Sequence, residues 1–213
     1  MSVTQSIKRP LVVLTGPTAV GKTKLSIALA KAIGGEILSA DSMQVYKHMD
    51  IGSAKIRPEE MQGVPHHLID ILEPWEEFNV VVFQKRCLEC MEQIYDRGHI
   101  PILVGGTGFY IQAVLRGIDF TENEENTEYR EKMEQLAKEK GPEVLHDMLR
   151  KIDPVSAENI HTNNIKRTIR ALEYYELTGE PISVHNEREK ERTSPYNFSY
   201  FVLTDDREKL YAR

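Results

Sequence analysis

Apolar residues arrive in two rhythms along this chain. Continuous runs at 11–15 (LVVLT), 36–40 (EILSA), 67–72 (HLIDIL) and 100–104 (IPILV) predict β-strands. Their lack of alternation marks strands covered on both faces. Residues 22–33 and 80–97 instead space their apolar positions three and four apart, which predicts helices with one buried stripe. Strands alternating with helices make a parallel sheet with helices packed on it, an α/β core.

After Gly117 the rhythm changes. From Thr121 to Glu191 charged, helix-forming residues dominate and no strand-like run appears. Pro142 and Pro154 stand where helices can begin, because proline's missing N–H is not needed in a first turn. Thr178-Gly179 followed by Pro181 supplies a stop. The polar stretch at Thr193, Ser194 and Pro195 reads as a linker to a last strand at 198–203 (FSYFVL), and Asp205-Asp206-Arg207 opens another helix. The expected organisation is a core over 1–117, an inserted all-helical domain over 118–196 and a return to the core over 197–213. The final helix is cut short at Arg213, so a longer parent chain is expected.

Composition narrows the class. With 213 residues, 40% of them hydrophobic, the chain can bury a sizeable core. No apolar run approaches the roughly 20 residues of a membrane helix. The N-terminal MSVTQSIKRP lacks the apolar stretch of a secretory signal, which points to the cytoplasm. Phe83, Cys87, Cys90 and Ile94 share one helical stripe, so the two cysteines read as buried thiols and not as a redox pair or half a zinc site. The net charge of −6 does not suggest a polyanion binder, but a local basic stripe can act within an acidic protein because remote charges are screened.

The chemistry is concentrated in GPTAVGKT, residues 16–23, which follows a strand and precedes a helix. This is the phosphate-binding loop pattern: Gly16 and Gly21 allow the backbone N–H groups to face an anion, and the helix N-terminus adds its positive end. Lys22 supplies a mobile cation to terminal phosphates, and the Thr23 hydroxyl is placed to ligate Mg²⁺. A hydrolase of this class has a second apolar strand ending in aspartate, whereas IPILVGGTG ends in glycines and Thr107, which weakens a motor or switch reading. Thr107 would point its hydroxyl at the same phosphates. Asp41, just past the second strand and expected beside the loop's own strand, is either a turn cap or a general base.

Five blocks in order, GPTAVGKT, DSMQVYKHMDIGSAK (41–55), VPHHLIDI (64–71), ILVGGTGFYI (102–111) and DPVSAENIHTNNIKRTIRALEYY (153–175), resemble the tRNA dimethylallyltransferase, or tRNA isopentenyltransferase, family. The resemblance implies a P-loop NTPase-like core with an inserted helical domain that grips RNA. It implies transfer of a dimethylallyl group from dimethylallyl diphosphate to N6 of the adenosine 3′ of the tRNA anticodon. Carried over, Gly16, Pro17, Thr18, Ala19, Val20, Gly21, Lys22 and Thr23 hold the diphosphate, and Asp41 takes the amine proton. Thr107 assists at the diphosphate and the tRNA. Asp41, Ser42, Met43 and Gln44 meet the target base, and Arg207 and Arg213 lie near the diphosphate. Val20 stands where the family has a small hydroxyl residue, and Asn164 and Ile165 where an acidic residue and proline are common.

Lys166, Arg167 and Arg170 lie within little more than one helical turn, opposite Ile165, Ile169 and Leu172; the residues alone read as a solvated basic face, and the resemblance assigns them to tRNA. His66 and His67, adjacent on a strand, face opposite ways and read as local packing. NEREKER (186–192) reads as a solvated helix end. A monomer is expected. The rival readings are a small-molecule or nucleotide kinase using ATP and a non-catalytic RNA-binding module that keeps the loop as structure. Whether ATP binds the loop stays open at this level.

Overall fold

The computed structural model describes residues 8–120 and 127–211. The chain divides into two compact units, one formed by residues 1–118 with 193–213 and the other by 119–192.

The first unit is built on a five-stranded, all-parallel sheet: β1 (Pro10–Thr15), β2 (Gly35–Ser39), β3 (His66–His67), β4 (Ile100–Gly105) and β5 (Asn197–Val202), in the order β3-β2-β4-β1-β5. Three helices belong to the crossovers: α1 (Lys22–Ile33), α2 (Val80–Asp96) and α3 (Gly108–Arg116). Every residue of β2 is buried, as the unbroken apolar runs predict for strands covered on both faces. The stripe of α2 packs as its spacing requires: Phe83, Cys87, Met91 and Ile94 are buried together against Leu38 and Leu103 of the sheet, with Cys90 half-buried beside them. Burial pushes both thiols up, which fits inert core cysteines.

Two sequence expectations need correction. The run at 67–72 is not one strand. Leu68 and Asp70 take positive φ values of 64° and 54°, so β3 ends at His67 and only Leu72 resumes pairing, as a bridge to Tyr46. Nor does β2 lie beside β1, because β4 intervenes. Asp41 keeps its place near the loop because parallel strands all present their C-terminal ends at one edge, and two strand spacings amount to only about 10 Å.

At the opposite end of β2 stands a buried carboxylate. Glu36, 2% exposed, accepts a bidentate pair from Arg97 at 2.8 and 2.7 Å and one hydrogen bond each from His99 (2.7 Å) and His67 (2.6 Å). Led by Arg97, these bonds hold its pKa down at about 2 despite burial. Such a carboxyl stabilises the fold fully above its ordinary value of 4.5 and loses that contribution as pH falls toward 2. Glu36→Gln is expected to lower the unfolding free energy by about 3 kcal/mol at pH 7, the usual cost of removing one partner from a buried ion pair. Denaturant midpoints should show that gap closing below pH 4.5, and a gap independent of pH would mean the charge contributes nothing.

Among the described residues the second unit contains helices and turns only: α4 (Thr127–Lys140), α5 (Pro142–Ile152), α6 (Pro154–Asn159), α7 (Ile165–Thr178) and α8 (Ile182–Glu191). Pro142 and Pro154 occupy first turns, and Gly179, at φ 72°, ends α7. Met133, Leu145, Leu149, Ile169 and Leu172 close a separate core. The fully buried Glu173 of α7 is gripped by Arg130 at 2.8 and 3.0 Å and by Arg170 at 3.0 Å.

Candidate active site

The GPTAVGKT loop joins β1 to α1 as the motif requires. Gly16 has φ 147°, and a Cβ there would lie 2.4 Å from the Leu203 carbonyl oxygen, so only glycine fits. Gly21 precedes α1 in the left-handed region and no side chain caps the helix, leaving the first N–H groups of α1 for an anion. The Lys22 ammonium donates to the carbonyls of Gly16 (2.8 Å) and Pro17 (2.7 Å), which places its charge over the loop. Burial lowers the Lys22 pKa, with Asp41 pulling the other way. Pro17, Thr18 and Ala19 are exposed and Val20 is half-buried.

Asp41 follows β2 and shares one pocket with Lys22 and Thr23. Its Oδ1 accepts from the Met43 N–H at 2.8 Å and the Gln44 N–H at 3.4 Å. The two sequence readings of this residue are therefore not exclusive. One oxygen caps the turn and fixes the carboxylate, and Oδ2 has no polar partner among the described residues. Close backbone packing holds this corner. A Cβ on Gly105 would sit 2.2 Å from the Ala40 carbonyl oxygen, and the Thr107 N–H donates to that same oxygen at 3.3 Å. Thr107 thus lies beside the Asp41 turn at the start of α3, its hydroxyl making no cap to the helix.

Below these groups the pocket turns apolar. Ile37, Ile56, Ile69, Ala54 and Val104 line it, with Ser26, Ser39, Gln44 and His66. The strand register orders the depth. His66 pairs with Ile37, Ser39 pairs with Val104, and Asp41 lies two residues beyond Ser39. Ala54 and Ile56 come from a loop fastened at two points. The Gln44 amide donates to the carbonyls of Ser53 (3.4 Å) and Ala54 (3.2 Å) while its oxygen accepts from Ser39 (3.0 Å). Lys55, its side chain 5% exposed, bonds Asp50 (2.7 Å), Asp70 (2.6 Å) and the Tyr46 carbonyl (2.8 Å).

The structure thus gathers Lys22, Thr23 and Asp41, with Thr107 adjacent. Of the segment expected at a target base, Met43 is exposed and Ser42 half-buried, but the Gln44 amide is committed to the loop. Arg207 begins the short helix α9 (Arg207–Tyr211) and does not line the pocket, and Arg213 lies outside the described residues. In the helical unit Lys166 and Arg167 are exposed and form no ion pair among the described residues, whereas Arg170 is held by Glu173 and is part of that unit's framework.

His66 was assigned to packing by its sequence and proves to line the pocket. The alternation rule that separates it from His67 carried the signal, since one of the pair had to share the face of Ile37. Magnesium, expected at Thr23, fits the residues present. The Thr23 hydroxyl and Asp41 carboxylate are hard oxygen donors in one pocket, and no group of three metal-binding side chains exists among the described residues. An ion there would complete its shell with phosphate oxygens and water, as Mg²⁺ prefers.

A family model described as IPP transferase matches residues 44–213, and one described as isopentenyl transferase matches residues 10–71. A tRNA dimethylallyltransferase of Lachnoclostridium phytofermentans is 66% identical over 203 residues, 95% of this chain and 65% of the relative. One of Carboxydothermus hydrogenoformans is 56% identical with the same coverage. The full-length tRNA isopentenylpyrophosphate transferase of Bacillus halodurans superposes at TM-score 0.63 and 48% identity, over 96% of this chain and 63% of that one. A eukaryotic dimethylallyltransferase acting on tRNA gives TM-score 0.79 at 33% identity, over 96% of this chain and 50% of that one. The chain spans about 65% of the length of the curated relatives it matches.

Proposed function

The chain belongs to the IPP transferase family, and from that premise we propose that it transfers a dimethylallyl group from dimethylallyl diphosphate to N6 of the adenosine 3′ of the tRNA anticodon. One observation carries the reading. A cationic phosphate loop, a carboxylate with a free oxygen and an apolar depth share a single pocket. Phosphoryl transfer needs the first of these, whereas the apolar depth suits a hydrocarbon tail carried on the diphosphate.

The amine lone pair forms the N6–C1 bond as the C1–O bond breaks, and diphosphate departs with that bond's electron pair. Lys22 and the N–H groups of the loop and α1 meet the growing charge, which is where such sites gain most. Bound at Thr23, Mg²⁺ would supply further positive charge to the same oxygens. Asp41 receives the amine proton on Oδ2 while Oδ1 keeps the carboxylate oriented. Thr107, beside that turn, is a further hydroxyl for the leaving group. The adenine must leave its stack to reach this depth. Incubation with dimethylallyl diphosphate and unmodified tRNA, in parallel with ATP and candidate acceptors, tests the reading. Prenylated tRNA is the expected product, and phosphoryl transfer without prenylation would overturn it.

On the RNA side, acidic residues outnumber basic ones across 119–192, so any grip there is local. Lys166 and Arg167 are the exposed cations of α7 left for it. Their joint replacement by alanine is expected to weaken tRNA binding and to reduce the log–log salt slope by about 0.7 to 0.9 per lost contact. Arg170 is left in place because it also bonds the buried Glu173, and its loss would mix a stability effect into the binding measurement. An unchanged slope would return both residues to an ordinary solvated face.

A further inference from the structure

Most polar side-chain groups lining the pocket have a protein partner. Ser26 donates to the Thr23 carbonyl at 2.9 Å, Ser39 to Gln44 at 3.0 Å, and the Gln44 amide to Ser53 and Ala54. Lys22 is on the loop carbonyls, and Asp41 Oδ1 is in its turn. Among the described residues three groups are left without a partner: the Thr23 hydroxyl, Asp41 Oδ2 and one nitrogen of His66. The first two have roles in the proposed reaction. The third has none.

His66 is half-buried, and its Nδ1–H donates to the Val64 carbonyl at 2.8 Å. That bond fixes the tautomer, so Nε2 is a bare acceptor with no polar partner among the described residues. Burial, the larger influence, and the neighbouring His67 hold the imidazole below the ordinary histidine value against the Val64 carbonyl, so the ring is neutral near pH 7. Its depth follows from register. His66 is level with Ile37, and Ile37 lies four residues before Asp41, up to about 13 Å of extended chain. The ring therefore stands among the isoleucines, where a donor's tail would reach, and away from the carboxylate that would receive the amine proton.

Resting on the reading above, we propose that His66 is a specificity-determining residue for the donor's tail. Its Nε2 accepts a hydrogen bond from a terminal hydroxyl, so the pocket takes five-carbon allylic diphosphates hydroxylated at a terminal methyl as well as the plain dimethylallyl donor. An apolar wall alone would discriminate against the hydroxyl, because the tail would give up its hydrogen bond to water and gain nothing in return.

The test is a comparison of affinities for the plain and the hydroxylated diphosphate, measured with Mg²⁺ and without tRNA, so that no turnover is needed. The wild type is expected to bind both within about threefold, and His66→Leu to lose about tenfold for the hydroxylated donor alone, the usual worth of a hydroxyl left unpaired. His66→Asn should behave like leucine, since its amide can keep the bond to the Val64 carbonyl but leaves the Nε2 position empty; it guards against a leucine variant that fails to fold. An unchanged ratio in the variants, or an equal loss of both donors, would overturn the assignment. So would a wild type that binds only the plain donor, with the proposed function left intact. A wild type that binds neither donor would remove that function and this inference together.

Discussion

Asp41→Asn is expected to slow single-turnover prenyl transfer at saturating tRNA by on the order of 10² to 10⁴-fold, the usual worth of a positioned base. The substitution is unusually clean at this position. Asparagine keeps an Oδ1 that can accept from the Met43 and Gln44 N–H groups, so the turn and the pocket wall it supports should persist. What is lost is the second oxygen's capacity to take a proton. Thermal stability, donor affinity and tRNA affinity should all stay close to wild type. A rate within about threefold of wild type would show that the carboxylate serves only as a turn cap and that the amine proton leaves by another route, because asparagine caps such turns about as well as aspartate.

Lys22→Ala is expected to act earlier, on donor binding as well as on the chemical step. Its ammonium is the cation of the loop, and the Gly16 and Pro17 carbonyls that it bonds can turn to water when it is gone, so folding should be spared. Removing one preorganised group that meets developing charge costs about 10² to 10³-fold in turnover. Lys22→Arg should recover little of this, since a planar guanidinium cannot take the place of a compact ammonium folded back over its own loop. Donor titration and single-turnover rates separate the two components. Near-normal turnover in the alanine variant would remove the loop from the mechanism.

How far this protein could be read from its residues varied with the range of the forces involved. The strand, loop and helix over 10–33 were legible in full, because their geometry is set by neighbours in sequence: a strand, two glycines, a lysine and a helix start. The bounds of α1 and the starts of α5 and α6 at Pro142 and Pro154 were legible for the same reason, since caps and prolines act within one turn. The five motif blocks were enough to place the chain in its family.

Strand order was decided by the tertiary structure alone. Continuous apolar runs state that a strand is buried on both faces but not which strand lies next to it, and so β4 could come between β1 and β2 unannounced. The fates of polar side chains were hidden likewise. Gln44 looked available for a base and is tied to Ser53 and Ala54. Arg170 looked like an RNA contact and bonds the buried Glu173 of its own helix, a partner it shares with Arg130 of α4. His66 looked like packing and lines the pocket. A sequence fixes which groups can make a hydrogen bond or an ion pair. Which partner each one finds can depend on residues far along the chain, as with Arg130 and Glu173, 43 positions apart in sequence and 3.0 Å apart once the chain has folded.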